Sequence, residues 1–229
     1  MKKEYRKKIF LDTVPVLTGY LFLGMGFGIL LYQSGYGIGW SLLMSLFIYA
    51  GSGQYLAVGL LSGGVPLLTS ALATLFVNAR HLFYGLSLVD TYRDAGAKKP
   101  YLIFSLTDET YSLVTHQQPP EGMDRISYCF WVSVLDQCYW VIGCVLGSIA
   151  GASLPISFQG VEFVLTALFV TMFVDQWLTA KDHRPAVIGA ASTALCLLLF
   201  GADIFLIPSM ALMAGLLILM NRVGGGRHE

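Results

Sequence analysis

Eight apolar blocks run along the chain, at about residues 14–32, 41–61, 65–88, 101–115, 126–150, 163–180, 187–200 and 204–220. A helix crossing a hydrocarbon layer of about 30 Å needs about 20 residues. The pattern therefore predicts an all-α, polytopic membrane bundle, a single transmembrane domain over 1–229 with six to eight helical segments. Connections between blocks are short. Glycine recurs inside several of them, as membrane helices tolerate because it lets backbones approach closely.

Two blocks do not look like plain spans. The second is interrupted by Ala50-Gly51-Ser52-Gly53-Gln54, and the fourth is short and carries Asp108 and Glu109. Broken or re-entrant helices are stable at membrane depth only where they are buried in protein or line a wet cavity. In transporters such breaks turn half-helix ends towards substrates and ions.

Lys and Arg placement sets the expected orientation, because cytoplasmic loops carry the excess. If all eight blocks cross, ten cations fall inside, and Arg93, Lys98 and Lys99 fall outside. If residues 41–88 cross only once on balance and 101–115 dip in and return, all thirteen cations outside the blocks are cytoplasmic. Both arrangements put the two termini inside, and the second is preferred.

Composition agrees with a bilayer as solvent: of 229 residues, 55% are hydrophobic and 12% charged. A net charge of zero gives no reason to expect nucleic acid as a partner. Cys129, Cys138, Cys144 and Cys196 lie in apolar runs without metal spacing and are expected to be small core residues. The cations before the first block mimic a signal peptide. Asp12, Pro15 and the lack of a small-residue cleavage site argue for an uncleaved first span.

Candidate chemistry concentrates in the middle blocks. Ala71, Thr74, Asn78, His81 and Gly85 share one helix face, either to pack helices or to line a path in which His81 relays protons. Arg80, on another face, either snorkels to the interface or pairs with Asp108, Glu109 or Asp136. Gly143, Gly147 and Gly151 form a small-residue stripe, and helical geometry puts Asp136 on the same side. Asp136 should thus face protein, where a carboxyl must be paired, hydrogen-bonded or protonated. Glu162, Asp175, Asp203, Lys181 and Arg184 sit near block ends, as ordinary interfacial charge does. No nucleotide, metalloprotease or serine-hydrolase signature is present in a fitting context, and neither a metal nor another cofactor is expected.

Three runs carry a resemblance: Ile48-Tyr49-Ala50-Gly51-Ser52-Gly53-Gln54, Asn78-Ala79-Arg80-His81-Leu82-Phe83-Tyr84-Gly85, and Leu106-Thr107-Asp108-Glu109. Together they resemble successive segments of the AzlC-type branched-chain amino acid permeases, in order and over the whole chain. The resemblance implies export of valine, leucine or isoleucine, with methionine as a further candidate, across the cytoplasmic membrane. It also implies a small AzlD-type membrane subunit and energy from an ion gradient. It assigns no residue roles.

On physical grounds, Gly51, Ser52, Gly53, Gln54, Asn78 and Asp108 are the candidate substrate contacts. Asp136, Asp108, Glu109, His81 and Arg80 are the candidates for proton or ion coupling. A scaffold whose polar stripes only join helices, and a passive channel, are the rival readings. Oligomeric state is left open.

Overall fold

The computed structural model describes residues 2–153, 163–180, 182–201 and 205–224. Lys181, Glu162 and Asp203 lie outside them, and of Asp175 and Arg222 only the backbone is described. The described chain is helical: α1 (Lys3–Gln33), α2 (Ile38–Phe47), α3 (Gly51–Ser62), α4 (Leu67–Asn78), α5 (Arg80–Ser87), α6 (Lys99–Phe104), α7 (Asp108–His116), α8 (Arg125–Ser153), α9 (Phe163–Thr179), α10 (Arg184–Phe200) and α11 (Leu206–Gly224). A 3₁₀ turn at Gly96–Lys98 leads into α6.

Residues 1–64 and 77–166 make one compact unit, and 65–76 with 167–229 make a second. In the second unit α10 packs on α11, with Gly189 leaving room for the Met213 sulfur.

The first unit is organised by α1 and α8, which are long and apolar enough to cross a membrane. At 1.5 Å per residue they run for about 45 Å, the thickness of a bilayer with its headgroups. They lie parallel: Thr13 meets Tyr139, Gly24 meets Gly143 and Cys144, and Gly28 meets Ser148. Small residues set their separation. A Cβ on Gly28 would strike the Cys144 carbonyl oxygen, and one on Gly147 the Met25 carbonyl oxygen. Two hydroxyls close the seam, Ser148 donating to the Gly28 carbonyl at 3.2 Å and Ser41 of α2 to that of Cys144 at 2.9 Å. The expected glycine stripe is thus a helix-packing surface, with Asp136 fully buried on the same side.

Parallel packing puts both N-terminal ends, with Lys3, Arg6, Lys7, Lys8 and Arg125, at one end of the unit. Arg125 donates to the carbonyls of Val114 and Gln117, capping the C-terminal end of α7. Helix α7 is therefore antiparallel to α8, and its first turn lies part-way along α8, beside Asp136. At this same end Ile9, Leu88, Tyr92, Leu102, Leu106, Val114, Tyr128 and Val132 form an apolar cluster.

The polarity is inverted relative to a soluble protein. Phe22, Phe47, Ile142 and Leu146 face outwards, while Thr13, Ser41, Gln54, Thr110, Ser133 and Asp136 are buried. An apolar surround favours this outward placing of apolar side chains.

Several sequence expectations are corrected. The third block is two helices, α4 and α5, because Ala79 interrupts it. Of the stripe from Ala71 to Gly85, Ala71 and Thr74 are exposed, and Asn78, His81 and Gly85 half-buried. The break in the second block falls at Ile48–Ala50, so Gly51–Gln54 is the first turn of α3. Tyr49 adopts φ +41°, a left-handed conformation uncommon outside glycine, which sharpens that break. The first helix begins at Lys3 and includes the cations expected to precede it. Cys138 is exposed, and only Cys129, Cys144 and Cys196 are buried.

Candidate functional site

Helices α3, α5 and α7 all begin where an apolar block is interrupted, and side chains from their first turns come together against α1 and α8. Each helix start leaves backbone N–H groups without intrahelical partners and carries partial positive charge. The three starts use that property differently.

Helix α7 is capped from within. The Thr107 hydroxyl accepts from the Thr110 N–H at 3.3 Å, the usual role of an N-cap threonine. Asp108 and Glu109 occupy the first turn, where the helix dipole favours acids. Arg80, at the start of α5, pairs with Asp108 at 2.5 Å and donates to the Ser52 hydroxyl at 2.7 Å. The guanidinium thus ties α5 to both α7 and α3. Of the alternatives open for Arg80, the ion pair with Asp108 is the one that forms.

Helix α3 has no acid in its first turn and no side-chain cap. Its start is instead packed into place. Gly51 lies against the Trp140 ring, where a Cβ would approach to 3.2 Å, and Gly53 lies against the Asn78 amide, where it would approach to 3.0 Å. Trp140 Nε1 donates to Gln54 Oε1 at 2.7 Å. Indole N–H is only a donor, so the amide is fixed with its Nε2 pointing the other way. That Nε2 is buried and has no hydrogen-bond partner among the described residues.

Asp136 lies eleven residues into α8, about 16 Å along the axis from Arg125. It is wholly buried and accepts from the Thr110 hydroxyl at 2.8 Å, while its Oδ1 has no hydrogen-bond partner among the described residues. From α1, Tyr20 reaches the same region, donating to Glu109 Oε2 at 2.8 Å and meeting Thr107 Oγ1 at 2.6 Å. Tyr20 and Phe27 pack on Trp140, with ring centroids 5.3 and 6.4 Å apart. This aromatic layer and the apolar cluster at the cationic end bracket the acids.

Nine of the ten candidate side chains and backbones meet here: Gly51, Ser52, Gly53, Gln54, Asn78, Arg80, Asp108, Glu109 and Asp136. His81 stands apart. Its Nδ1 lies 3.0 Å from the Asn78 carbonyl and its ring packs edge-on to Tyr84. Tyr20, Thr110 and Trp140 join the site without having been singled out in the sequence. Thr107 and Thr110 were detectable as an N-cap and the residue three positions on. A tyrosine within an apolar first helix carries no such signal. Among the described residues no cluster of His, Cys, Asp and Glu fits a metal ion.

The family model described as AzlC protein matches residues 15–154, from Pro15 within α1 to just past the end of α8. The chain belongs to the AzlC family. Among its relatives, the branched-chain amino acid transport protein AzlC of Bacillus subtilis is 38% identical over 210 residues, covering 92% of this chain and 83% of the relative. An uncharacterized membrane protein of Helicobacter pylori is 39% identical over 216 residues, 94% of this chain and 95% of its own. The inner membrane protein YgaZ of Escherichia coli is 27% identical over 214 residues, 90% of this chain and 84% of its own. No solved structure matches the chain. The segment that defines the AzlC family contains every residue of the site, whereas α10 and α11 lie beyond it.

Proposed function

We propose that this AzlC-family chain is the large subunit of a secondary active exporter of branched-chain amino acids, working with a small AzlD-type membrane subunit. Both termini face the cytoplasm. The substrate class rests on the name of the Bacillus relative and on the family resemblance. The mechanism rests on one observation, the buried start of α3 with its uncapped N–H groups and the free Gln54 Nε2, set near three acids and one paired arginine.

An amino acid zwitterion needs both kinds of contact. Its carboxylate suits the start of α3, where the backbone N–H groups lack a side-chain cap and Gln54 adds a side-chain donor. Its ammonium suits the acidic face of Asp108 and Glu109, with Asp136 behind. Arg80 keeps that face from carrying the full repulsion of its acids. An aliphatic side chain fits the aromatic and apolar walls contributed by Trp140, Tyr49 and Phe104. Substrate then sits at mid-depth, where rocking of helices around a fixed site gives alternating access.

Reconstitution tests this. Liposomes holding the chain with and without its small partner, loaded with labelled leucine or valine, are expected to show saturable counterflow. Absence of counterflow for any aliphatic amino acid, with folded protein verified, rules the proposal out. Flux that does not saturate and ignores a pH gradient identifies a passive channel. Asp136→Asn is expected to abolish uphill transport and spare counterflow, whereas equal loss of both assigns Asp136 to binding or structure.

A further inference from the structure

A groove of about 520 Å³ opens between the first turns of α1 and those of α8, at the cationic end of the first unit. Its volume falls in the range of small-ligand sites, roughly 300 to 1,000 Å³. None of the residues of the interrupted-helix site lines it.

The lining is graded along the helix axis. Lys3, Arg6, Lys7 and Phe10 follow one another at spacings of three, one and three, so α1 turns all four side chains to one face. From α8, Trp131 and Leu135 face the groove one turn apart. Thr13 meets Tyr139, so counting back along both helices sets Leu135 level with Ile9, and Trp131 level with Tyr5. The cations therefore surround the outer end, and apolar surface continues inwards. Phe10 is 48% exposed and Trp131 38%, so both rings offer surface to a bound molecule.

This gradient matches the depth profile of a bilayer. A helix of about 45 Å crosses about 30 Å of hydrocarbon and leaves roughly 7 Å at headgroup level on each side. Lys3, Arg6 and Lys7 fall within about 6 Å of the start of α1, and Phe10 lies about 10 Å in. The cations are thus level with lipid phosphates, and Phe10 and Leu135 with the first acyl carbons. Trp131 stands at the interface, where indole rings are enriched.

The charges of the groove are not neutralised from within. Among the described residues no ion pair involves Lys3, Arg6 or Lys7, whereas the adjacent Lys8 pairs with Asp12 at 2.5 Å. Glu4, the acid nearest in sequence, does not line the groove. An anionic phospholipid satisfies both ends at once, its phosphate among three cations and its chains along the rings. A zwitterionic lipid would bring a cation of its own to the same place. A free phosphate would leave the apolar walls unfilled.

We propose that this groove binds one anionic phospholipid, with its phosphate held by Lys3, Arg6 and Lys7 and its acyl chains along Phe10, Trp131 and Leu135. The lipid bridges α1 and α8 outside the glycine seam. The site does not depend on what the chain transports.

Trp131 reports on its own groove. Full-length protein is reconstituted in vesicles of equal parts phosphatidylcholine and phosphatidylglycerol, with bromine, which quenches indole fluorescence, on the acyl chains of one lipid or the other. Trp131→Phe, measured in parallel, separates the signal of Trp131 from those of Trp40, Trp140 and Trp177. Quenching at Trp131 is expected to show phosphatidylglycerol associating at least about fivefold more strongly than phosphatidylcholine, since one basic residue near an anionic surface contributes roughly that factor. The triple variant Lys3→Gln, Arg6→Gln and Lys7→Gln should abolish the preference. Lys2→Gln, Arg93→Gln and Lys99→Gln together remove as much charge outside the groove and should preserve it. All six side chains are exposed or half-buried, so both variants should fold.

Equal association of the two lipids with the wild type overturns the site, as does a preference that survives the groove variant. An equal loss in both triple variants overturns it too, by assigning the preference to diffuse surface charge. Abolition of the preference by inorganic phosphate at constant ionic strength identifies a free-anion site, and shielding of Trp131 from both brominated lipids identifies a protein contact. Either result excludes the lipid.

Discussion

The α1–α8 seam and the cluster of interrupted helices lie side by side in one unit and are built on opposite principles. Along the seam, glycines let two backbones touch, and hydroxyls close onto carbonyls of the opposing helix. Such a surface has one arrangement, because separation by even a methyl group loses the contacts that hold it. At the interruptions, rotatable or charged side chains meet one another, Arg80 with Asp108 and Ser52, Gln54 with Trp140, and Thr110 with Asp136, while Thr107 caps a backbone N–H. Those groups can exchange partners. The contrast places rigidity in the long parallel pair and alternatives in the broken segments that lean on it.

Disturbing the seam is expected to have the largest effect. Gly28→Val places carbon against the Cys144 carbonyl and the Ser148 N–H, both backbone atoms that cannot turn aside. A loss of about 3 kcal/mol or more is expected, read as a collapse of the unfolding midpoint in lipid or detergent. A loss below about 1 kcal/mol would mean that the seam is not rigid. Breaking the cluster should cost less in stability and more in function. Arg80→Ala leaves Asp108 without its partner in a partly buried place, a cost of about 1 to 3 kcal/mol. Adding Asp108→Asn should regain most of that stability while counterflow remains absent. Recovery of counterflow in the double variant would reduce the pair to a structural tie.

The smallest effect is expected outside both regions, at the start of α8. There the Asp124 carboxylate accepts from the Ser127 N–H at 2.9 Å, and that backbone bond holds its pKa below the usual value. A lowered folded-state pKa adds stability that is present above the unfolded value and lost as pH falls through the folded one. The unfolding midpoint should therefore dip slightly below about pH 4. Asp124→Ala should remove that dip and cost about 1 kcal/mol at neutral pH, as loss of an N-cap does.

Much of this contrast is legible along the chain. The glycine stripe at Gly143, Gly147 and Gly151 and the side occupied by Asp136 follow from the helical period alone. The breaks in the second and fourth blocks are marked by Gly-Ser-Gly and by paired acids. The break at Ala79 is not, because alanine favours helix and nothing local opposes it. Ala79 itself keeps right-handed helical angles, φ −57° and ψ −29°. Tyr20 is invisible in the sequence, because only tertiary packing brings its hydroxyl to Glu109.

Hydrophobic periodicity and composition by themselves determined that the solvent is a bilayer, that the chain is helical, and that its acids and Arg80 lie within apolar segments. These are local properties, fixed by each segment's transfer free energy. The tertiary structure alone decided which acid takes the arginine, which helix start is left uncapped, and which hydroxyls meet Glu109 and Asp136. Those outcomes depend on distances of a few tenths of an ångström between helices far apart in sequence. Only the close approach of backbones across the glycine seam sets them.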